Sequence, residues 1–296
     1  MGPLFLGVDG GGSGCRVRLV DGAGTYLGAG TGGPGNIRLG LEATWRAILD
    51  AVDAALAEAG LDRAVLASIH AGVGLAGIMT PADLPRIRAA GPRFASLRLA
   101  SDAHIACLGA FAGEDGAIVI VGTGSVGHAV IGGEARTVGG WGFEISDLGS
   151  GADIGREAVR AAVLGHDGLG PAGAFTAAVM ARLGGSPARA VAWADTAHPR
   201  DYAEFARDTV RFAEEGDPVA AAILNTAAAR IGALVCRLQT LGAARVCLMG
   251  GLGPVLEARL PVSSRSALAR PRGDALDGAI RLARAAAAET SRCAAS

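Results

Sequence analysis

The chain has 296 residues, of which 50% are hydrophobic and only 4% aromatic, which predicts one large or two ordinary domains with aliphatic cores. The formal net charge of −1 argues against a nucleic-acid surface and against a polybasic membrane surface. All 27 basic residues are arginine, which excludes a P-loop lysine and a Schiff-base lysine.

A glycine turn between two strands opens the chain. Residues 4–8 and 15–20 have the apolar pattern of strands, and the turn between them reads DGGGSG, from Asp9 to Gly14. The elements expected next are a strand at 26–30, a helix at 41–60, strands at 65–75 and 97–100, and a helix from Ser101-Asp102 to Ala110. This order of strands and helices indicates a mixed α/β domain.

The same arrangement recurs at residues 117–131, where a strand, a glycine turn and a second strand follow each other. Gly122, Gly124 and Gly127 spell the dinucleotide pattern G-x-G-x-x-G, but that fingerprint requires a helix after the turn. Residues 128–133 are too short and β-branched for one, so the pattern predicts a β-hairpin. The two hairpins are about 110 residues apart, which is a usual domain size. They predict two α/β halves that face each other across a ligand cleft.

Helices dominate the chain after Gly151. The longest is expected from Asp217-Pro218 to Gly242, because an N-cap and a first-turn proline begin it. The last elements are a strand at 245–249, the glycine turn GGLG at 250–253, a closing helix from Asp274, and a frayed tail at 285–296.

The cysteines have no metal-like spacing. They are Cys15, Cys107, Cys236, Cys247 and Cys293. Without a C-x-x-C pair a zinc site is not indicated, and buried, reduced thiols in a cytosolic protein are expected instead. No basic leader segment and no apolar run of membrane-spanning length are evident. The sequence therefore predicts a cytoplasmic protein without a membrane or nucleic-acid partner.

The two glycine turns are candidate phosphate sites. Glycines 10–14 and 122–127 leave backbone N–H groups free to converge on phosphate oxygens, and Ser13, Thr123 and Ser125 add hydroxyl donors. Either turn alone is better explained as an ordinary hairpin turn, and only their repetition in two halves favours phosphate binding. Beside the first turn, Asp9 either holds Mg²⁺ through water or hydrogen-bonds its own loop.

Asp102 is the acid most indicative of catalysis. It is either a helix N-cap, kept ionised by the helix dipole, or a base for a hydroxyl that attacks a phosphate. Asn36 and Asp147 offer donors and acceptors for sugar hydroxyls, with turn chemistry as the alternative. Trp141 lies between two glycines and either forms the wall of a pocket or covers the hairpin. A branched side chain at Gly124 is expected to weaken ATP binding and to leave sugar binding nearly intact.

Taken together, these stretches resemble the superfamily of actin, sugar kinases and heat-shock chaperones. VDGGGSG and VGTGSVG resemble its two phosphate loops, LMGGLG its adenosine loop and GDALDGAI its closing segment. More narrowly, SDAHIACLGA and GGWGFEISDLGSGA resemble the N-acetylglucosamine kinase branch, and AVAWADTAHPRDYAEFA resembles bacterial glucosamine kinases. Both groups belong to the BadF/BadG/BcrA/BcrD ATPase family. The resemblance covers nearly the whole chain, with the motifs in the family's order.

This resemblance implies two ribonuclease-H-like domains of the actin-like ATPase type, with mixed sheets flanked by helices and a central cleft. The N-terminal domain would comprise residues 1–113 plus 275–296 and carry the sugar and phosphate-1 loops. The C-terminal domain would comprise residues 114–274 and carry the phosphate-2 and adenosine loops. The implied activity uses ATP and Mg²⁺ to phosphorylate the 6-hydroxyl of glucosamine or N-acetylglucosamine. The family offers a homodimer as the assembly.

The resemblance also implies roles for single residues. Asp102 would be the general base, Asn36, Gly77 and Asp147 would contact sugar hydroxyls, and Trp141 would lie near the amino or acetamido group. The ATP phosphates are assigned to Gly10, Gly11, Gly12, Ser13, Gly122, Thr123, Gly124 and Ser125, the adenosine to Gly250 and Gly251, and Mg²⁺ through water to Asp9. Ala76 stands where a small hydroxyl residue is expected, so the choice between the two amino sugars is open.

Two other functions share this fold. An activator ATPase of the BadF type needs cysteines from two subunits around an iron–sulfur cluster, and the cysteines here lack cluster-like spacing. A non-catalytic sugar sensor could lose the base, whereas this chain keeps Asp102. The sequence therefore favours the amino-sugar kinase.

Overall fold

The computed structural model describes residues 2–78 and 80–295. The chain forms two compact units. The first unit comprises residues 1–115 and 271–296, and the second comprises residues 116–270. Each unit contains one mixed sheet with helices packed on it, so both belong to the predicted mixed α/β class.

The first unit contains five strands. Its elements are β1 (Leu4–Gly10), β2 (Cys15–Val20), β3 (Tyr26–Gly32), α1 (Leu41–Glu58), β4 (Ile69–Leu75), α2 (Asp83–Ala90), β5 (Ser96–Ser101), α3 (Asp102–Ala110) and the last helix of the chain, α11 (Ala275–Ala295). The sheet has the order β3-β2-β1-β4-β5, with β1, β4 and β5 parallel and β2 antiparallel to both of its neighbours. The predicted β1–β2 hairpin is confirmed, and the three parallel strands end at the same edge of the sheet.

Backbone contact replaces side-chain packing between β3 and α1. Every second residue of β3 is a glycine, and these glycines face alanine carbonyls of the helix. A Cβ would lie 2.2 Å from the Ala55 oxygen at Gly28, 1.9 Å from the Ala51 oxygen at Gly30 and 2.2 Å from the Ala47 oxygen at Gly32. Because no side chain fits at these distances, only glycine permits this approach.

The opposite face of the same sheet is covered by α11 in the same way. A Cβ at Gly72 of β4 would lie 2.0 Å from the Ala279 carbonyl oxygen, and one at Gly109 of α3 would lie 1.8 Å from that of Asp274. The helix therefore rests directly on β4 and α3. The expected frayed tail is wrong, because α11 continues to Ala295 with Ala286 buried.

Another prediction is wrong at the start of β4. Residues 65–68 were expected to begin the strand, but they belong to a 3-10 helix at Arg63–Ser68. Asp62 begins this turn, since its carboxylate accepts a hydrogen bond from the backbone N–H of Ala64. The strand starts only at Ile69.

The second unit contains four strands and most of the helices. Its elements are β6 (Gly116–Val121), β7 (Ser125–Ile131), β8 (Glu134–Gly139), α4 (Gly151–His166), α5 (Ala174–Arg182), α6 (Pro187–Ala194), α7 (Pro199–Glu214), α8 (Pro218–Thr240), β9 (Val246–Met249), α9 (Gly253–Glu257) and α10 (Val262–Arg265). The sheet has the order β8-β7-β6-β9, in which β6 pairs with β7 antiparallel and with β9 parallel. The predicted second hairpin is confirmed, whereas β8 was not predicted.

Helix α8 forms much of the core of the second unit. Leu224, Ile231, Val235 and Leu238 are buried at helical spacing, and the Asp217 carboxylate caps the helix, as predicted. Of the described helices, α8 alone is long and apolar enough to span a membrane by composition. That test is weak evidence, because its apolar residues pack into the core of this unit.

The predicted burial of the cysteines is correct for three of them. Cys15, Cys107 and Cys247 are buried free thiols, whereas Cys236 lies on the exposed side of α8, with its sulfur 3.5 Å from the Ser264 hydroxyl oxygen. The side chain of Cys293 lies outside the described part of the chain.

The glycine contact between β3 and α1 makes a testable prediction. Gly30→Ala should lower the free energy of unfolding by about 1–3 kcal/mol, because the added methyl group would overpack the Ala51 carbonyl. Ala29→Ser, at an exposed position of the same strand, is the control and should change it by less than about 0.5 kcal/mol. Urea denaturation followed by circular dichroism measures both. Equal stability of the Gly30 variant and the wild type would mean that the strand and helix are not held this closely.

Candidate functional site

The first candidate site lies at the carboxyl edge of the five-stranded sheet. Gly10 of β1 pairs with Leu75 of β4, and Leu75 pairs with Ser101 of β5. Since neighbouring strands are about 4.8 Å apart, the three strand ends lie within about 10 Å of one another. Ligands of parallel α/β sheets bind at this edge. We call the residues gathered here the first strand-end cluster: Asp9, the turn Gly10–Gly14, Asn36, Gly77 and Asp102.

The first glycine turn is fixed by backbone hydrogen bonds. The N–H of Gly11 donates to the Gly14 carbonyl at 2.9 Å, and the N–H of Gly35 donates to the Gly11 carbonyl at 2.9 Å. A Cβ at Gly35 would lie only 2.4 Å from the Cα of Gly10, so two glycine segments touch here. Gly12 and Ser13 remain exposed at the tip of the turn. Their backbone groups are accessible to an external anion.

Asn36 and Gly77 lie side by side. Asn36 forms a bridge with Ala76, and the N–H of Ile37 donates to the Ala76 carbonyl at 3.2 Å. The Asn36 Oδ1 accepts a hydrogen bond from the Arg38 N–H at 3.0 Å. Gly77 has a φ of 86°, and a Cβ there would lie 2.6 Å from that same Oδ1. Glycine is therefore required for the Asn36 side chain to occupy this position.

Asp102 is the first residue of α3, and it is not the N-cap. The hydroxyl of Ser101 accepts the hydrogen bond from the His104 N–H at 3.1 Å and so caps the helix. The Asp102 Oδ1 accepts from the Ala103 N–H at 2.8 Å. The expectation that Asp102 serves as the cap is thus corrected, since Ser101 performs that role.

Burial raises the pKa of the Asp102 carboxyl, and the negative charge of Asp9 raises it further, against the hydrogen bond from Ala103. Desolvation and the neighbouring carboxylate thus act against the ionised form, which the N-terminal end of α3 is expected to favour. Asp9 itself is paired, with its Oδ2 2.6 Å from a guanidinium nitrogen of Arg16 on β2. A carboxyl with a raised pKa is a stronger proton acceptor once ionised.

The second candidate site lies at the carboxyl edge of the four-stranded sheet, where β6 and β9 end together. The turn after β6 is closed by the Gly122 N–H, which donates to the Gly124 carbonyl at 2.9 Å. Gly250, after β9, has a φ of 89°, and a Cβ there would lie 2.3 Å from the Val121 carbonyl oxygen. We call Gly122–Ser125, Asp147, Gly250 and Gly251 the second strand-end cluster.

The N-terminus of α4 is joined to this second glycine turn. The N–H of Gly151 donates to the Gly122 carbonyl at 2.8 Å, and the N–H of Ala152 donates to the Thr123 carbonyl at 3.1 Å. Thr123 is exposed, whereas Ser125 is buried and its hydroxyl donates to the Leu148 carbonyl at 2.9 Å. Of the two hydroxyls suggested by the sequence, the structure therefore leaves that of Thr123 accessible.

Asp147 lies directly over the second glycine turn. Its φ of 56° is unusual for a residue other than glycine, and its Oδ2 lies 2.7 Å from the position of a Cβ on Gly124. Burial raises the pKa of the Asp147 carboxyl, although backbone N–H groups of Gly142 and Ser125 act to lower it. A valine at Gly124 would therefore displace the Asp147 carboxylate as well as cover the turn. Trp141, in the same loop, is 58% exposed.

Sequence reasoning missed the buried carboxylate that holds this loop. Asp153 is 1% exposed and accepts hydrogen bonds from the Gly149 N–H at 2.7 Å, from Arg156 at 2.7 Å and from Arg230 at 2.6 Å. Arg156 also donates to the Phe143 carbonyl at 3.3 Å and lies 4.8 Å from the centre of its ring. The three charged groups therefore fix the loop that carries Asp147.

The two mixed α/β units, each with a glycine hairpin beside its parallel strand ends, have the fold of the actin-like ATPases. The model of the BadF/BadG/BcrA/BcrD ATPase family matches residues 6–256, and the chain belongs to this family.

Relatives and solved structures agree with this assignment. The chain is 37% identical over 279 residues to the glucosamine kinase GspK of Vibrio cholerae, covering 94% of this chain and 95% of the relative. A solved structure from Chromobacterium violaceum, provisionally named an N-acetylglucosamine kinase, has a TM-score of 0.87 and 35% identity, covering 95% of this chain and 99% of its own. The ROK hexokinase of Thermus thermophilus, at 20% identity, shares the fold with a TM-score of 0.57 over 97% of this chain and 99% of its own.

The role of Asp153 is testable by stability. Asp153→Asn should lower the free energy of unfolding by about 2–3 kcal/mol, because it leaves Arg156 and Arg230 without their shared counter-charge, partly screened by solvent. Glu204→Gln removes one partner of the exposed ion pair with Arg182 and should cost less than about 1 kcal/mol. Thermal and urea unfolding compare the two variants. A cost for Asp153→Asn no larger than that of the control would refute the anchoring role.

Proposed function

We propose that this protein is an amino-sugar kinase that transfers the γ-phosphate of ATP to the 6-hydroxyl of glucosamine or N-acetylglucosamine. The observation that carries the proposal is the meeting of Asp102, Asn36 and Gly77 at one sheet edge. Membership of an ATPase family and the likeness to glucosamine kinase GspK support it. We place the reaction in the cytoplasm, where ATP is available.

Asp102 is the proposed general base. Its Oδ1 accepts a hydrogen bond from the Ala103 N–H, and this bond orients the carboxylate. Oδ2 is then the oxygen that accepts the proton of the sugar hydroxyl. Its raised pKa favours proton acceptance in the transition state, and the ionised form is the active one. Asn36 and Gly77 line the same edge and are proposed to hold the other sugar hydroxyls, with Asp147 and Trp141 as further sugar contacts.

The phosphate contacts are proposed to be backbone groups. With no lysine in the chain, the turns Gly10–Ser13 and Gly122–Ser125 offer N–H groups to the ATP phosphates, and the N-terminus of α4 adds its dipole at the second turn. Gly250 and Gly251 are proposed to lie under the adenosine. We accordingly assign sugar binding chiefly to residues 1–113 with 275–296, and nucleotide binding chiefly to residues 114–274.

Asp9 is the residue proposed to hold Mg²⁺ through water. One of its carboxylate oxygens pairs with Arg16, and the other has no hydrogen-bond partner among the described residues. Carboxylate oxygen is a ligand that a hard cation prefers. No three-residue cluster of metal ligands exists among the described residues, so a water-mediated contact fits this donor set better than a direct cage. Bound Mg²⁺ would neutralise charge on the phosphate oxygens.

Replacing Asp102 tests the proposed base. Asp102→Asn should lower kcat by about 10²–10⁴-fold, because a positioned base contributes that much, while sugar affinity stays within a small factor. Ser101→Ala is the matched control, since it removes the helix cap and retains the carboxylate. A coupled ADP-release assay compares them. If Asp102→Asn retained more than about a tenth of wild-type kcat, Asp102 would not be the base.

The change in the free energy of unfolding caused by Asp102→Asn has a predictable direction. A pKa raised by folding means that the ionised carboxylate is less favourable in the folded state than in the unfolded state. This destabilisation begins as the pH rises through the unfolded value, about 3.9, and is complete above the folded value. At neutral pH the free energy of unfolding of Asp102→Asn should therefore equal or exceed that of the wild type. A clear loss would contradict the buried position of the carboxylate.

Gly122 offers a cleaner test of the phosphate turn than Gly124. No atom lies within 4 Å of a Cβ built there, so Gly122→Val should fold while its side chain fills the space above the turn. We expect weaker ATP binding, by about tenfold or more if one charge-assisted hydrogen bond is lost, and unchanged sugar binding. Ala135→Val on exposed β8 is the control. Calorimetry with each ligand measures this, and unchanged ATP affinity would remove the turn from the nucleotide site.

A further inference from the structure

A cavity of about 810 Å³ lies in the first unit, and no residue of the first strand-end cluster lines it. It is lined by β2, the β2–β3 turn, the C-terminal end of α3 and the first half of α11. Val20 on its wall pairs with Phe5 near the start of β1, whereas Asp9 lies at the other end of that strand. This part of the cavity wall therefore lies at the opposite end of the β1–β2 hairpin from Asp9.

Four arginines line this cavity: Arg18, Arg272, Arg281 and Arg284. Two of them have carboxylate partners. Arg18 donates to Asp277 at 2.7 Å and to Asp274 at 2.8 Å, and Arg272 pairs with Glu114. Although burial acts to raise the pKa of the Asp274 carboxyl, the Asp277 N–H and Arg18 together lower it, so this pair is charged at neutral pH.

Arg281 and Arg284 have no such compensation. No carboxylate of residues 2–78 or 80–295 lies within salt-bridge distance of either guanidinium, and Asp277, one turn before Arg281, is committed to Arg18. The Arg284 guanidinium is held by the carbonyls of Gly22 at 3.1 Å and Asp21 at 3.4 Å, and it lies 4.6 Å from the centre of the Phe5 ring. One cation is thus fixed in place, and a second lies three residues earlier on the same helix.

Like charges three residues apart on a helix repel, and an anion between them removes that repulsion. Guanidinium groups match the oxygens of a phosphate through paired hydrogen bonds. The rest of the wall includes Val20, Ile280 and Tyr26, which offer contact to an uncharged part of a ligand. The cavity has the size of a site for a small organic molecule, beyond what a bare ion needs.

We propose that this cavity is a second binding site for a phosphorylated small metabolite, with the phosphate held by Arg281 and Arg284. A sugar phosphate and a nucleotide carry the same recognisable group, and both fit the cavity volume. The site is separate from the transfer site, so its occupant acts on the protein without entering the reaction.

Titration calorimetry of the full chain with glucosamine 6-phosphate and with ADP tests the proposal and identifies the source of the phosphate. The wild type should bind at two places, one of them the proposed transfer site, and Arg281→Gln should lose one equivalent or weaken it by about tenfold or more. Arg281 is exposed and makes no described hydrogen bond, so this variant should fold. Arg46→Gln, which removes an exposed arginine of α1 in the same unit, is the matched control.

The outcomes separate this proposal from the proposed function. If the proposed transfer site does not bind the probe, the wild type should bind one equivalent only, and Arg281→Gln should lose or weaken that one. The charge reversal Arg281→Glu should abolish the second equivalent, and added salt should weaken it in the wild type. Identical isotherms for the wild type and both Arg281 variants would overturn the second site, as would the absence of binding of either probe at millimolar concentration.

Discussion

Contact between backbones, made possible by glycine, is the constraint on which the first unit depends. Gly28, Gly30 and Gly32 bring α1 down on one face of the sheet, while Gly72 and Gly109 bring α11 down on the other side. Both helices are therefore held at distances that any side chain would prevent. The sheet between them is fixed in register, and its three parallel strands end together. The positions of Asp9, Gly77 and Asp102 follow from that register.

The electrostatics follow from a chain without lysine. An anionic ligand would be met by backbone N–H groups, hydroxyls or arginine, and these groups lie in different places. The glycine turns lie at the strand ends, and the first two N–H groups of α4 donate to carbonyls of the second turn. The arginines bind other groups: Arg156 and Arg230 hold Asp153 in the first turn of α4, and Arg281 and Arg284 line the cavity of the first unit. Asp102 is left in a buried, negative environment that suits a proton acceptor.

Local patterns allowed much of the fold to be predicted. Both glycine hairpins and the capped helix α8 were predicted correctly, because their signals lie within a few neighbouring residues. Predictions failed where contacts with distant parts of the chain, or an unrecognised turn, determine the local structure. The tail is helical because Ala286 packs into the unit, and residues 65–68 form a turn begun by Asp62.

The residues of the candidate site could be proposed from the sequence, whereas their geometry could not. The sequence named Asp102 but could not show that Ser101 caps the helix or that Asp9 raises its pKa, since both depend on three-dimensional neighbours. The pattern Ser150-x-x-Asp153 is a visible capping signal. Its partner Arg230 comes 77 residues later, and no local pattern joins the two. The contact between Asp147 and Gly124 was hidden for the same reason.

The most direct test of the account is a coupled ADP-release assay with ATP and four separate acceptors: glucosamine, N-acetylglucosamine, mannosamine and glucose. The account predicts that glucosamine or N-acetylglucosamine gives the highest kcat/KM, and that phosphorus and carbon NMR of the product place the phosphate on the 6-oxygen. ADP formation no faster than in the absence of sugar, or a product phosphorylated at another oxygen, would contradict it.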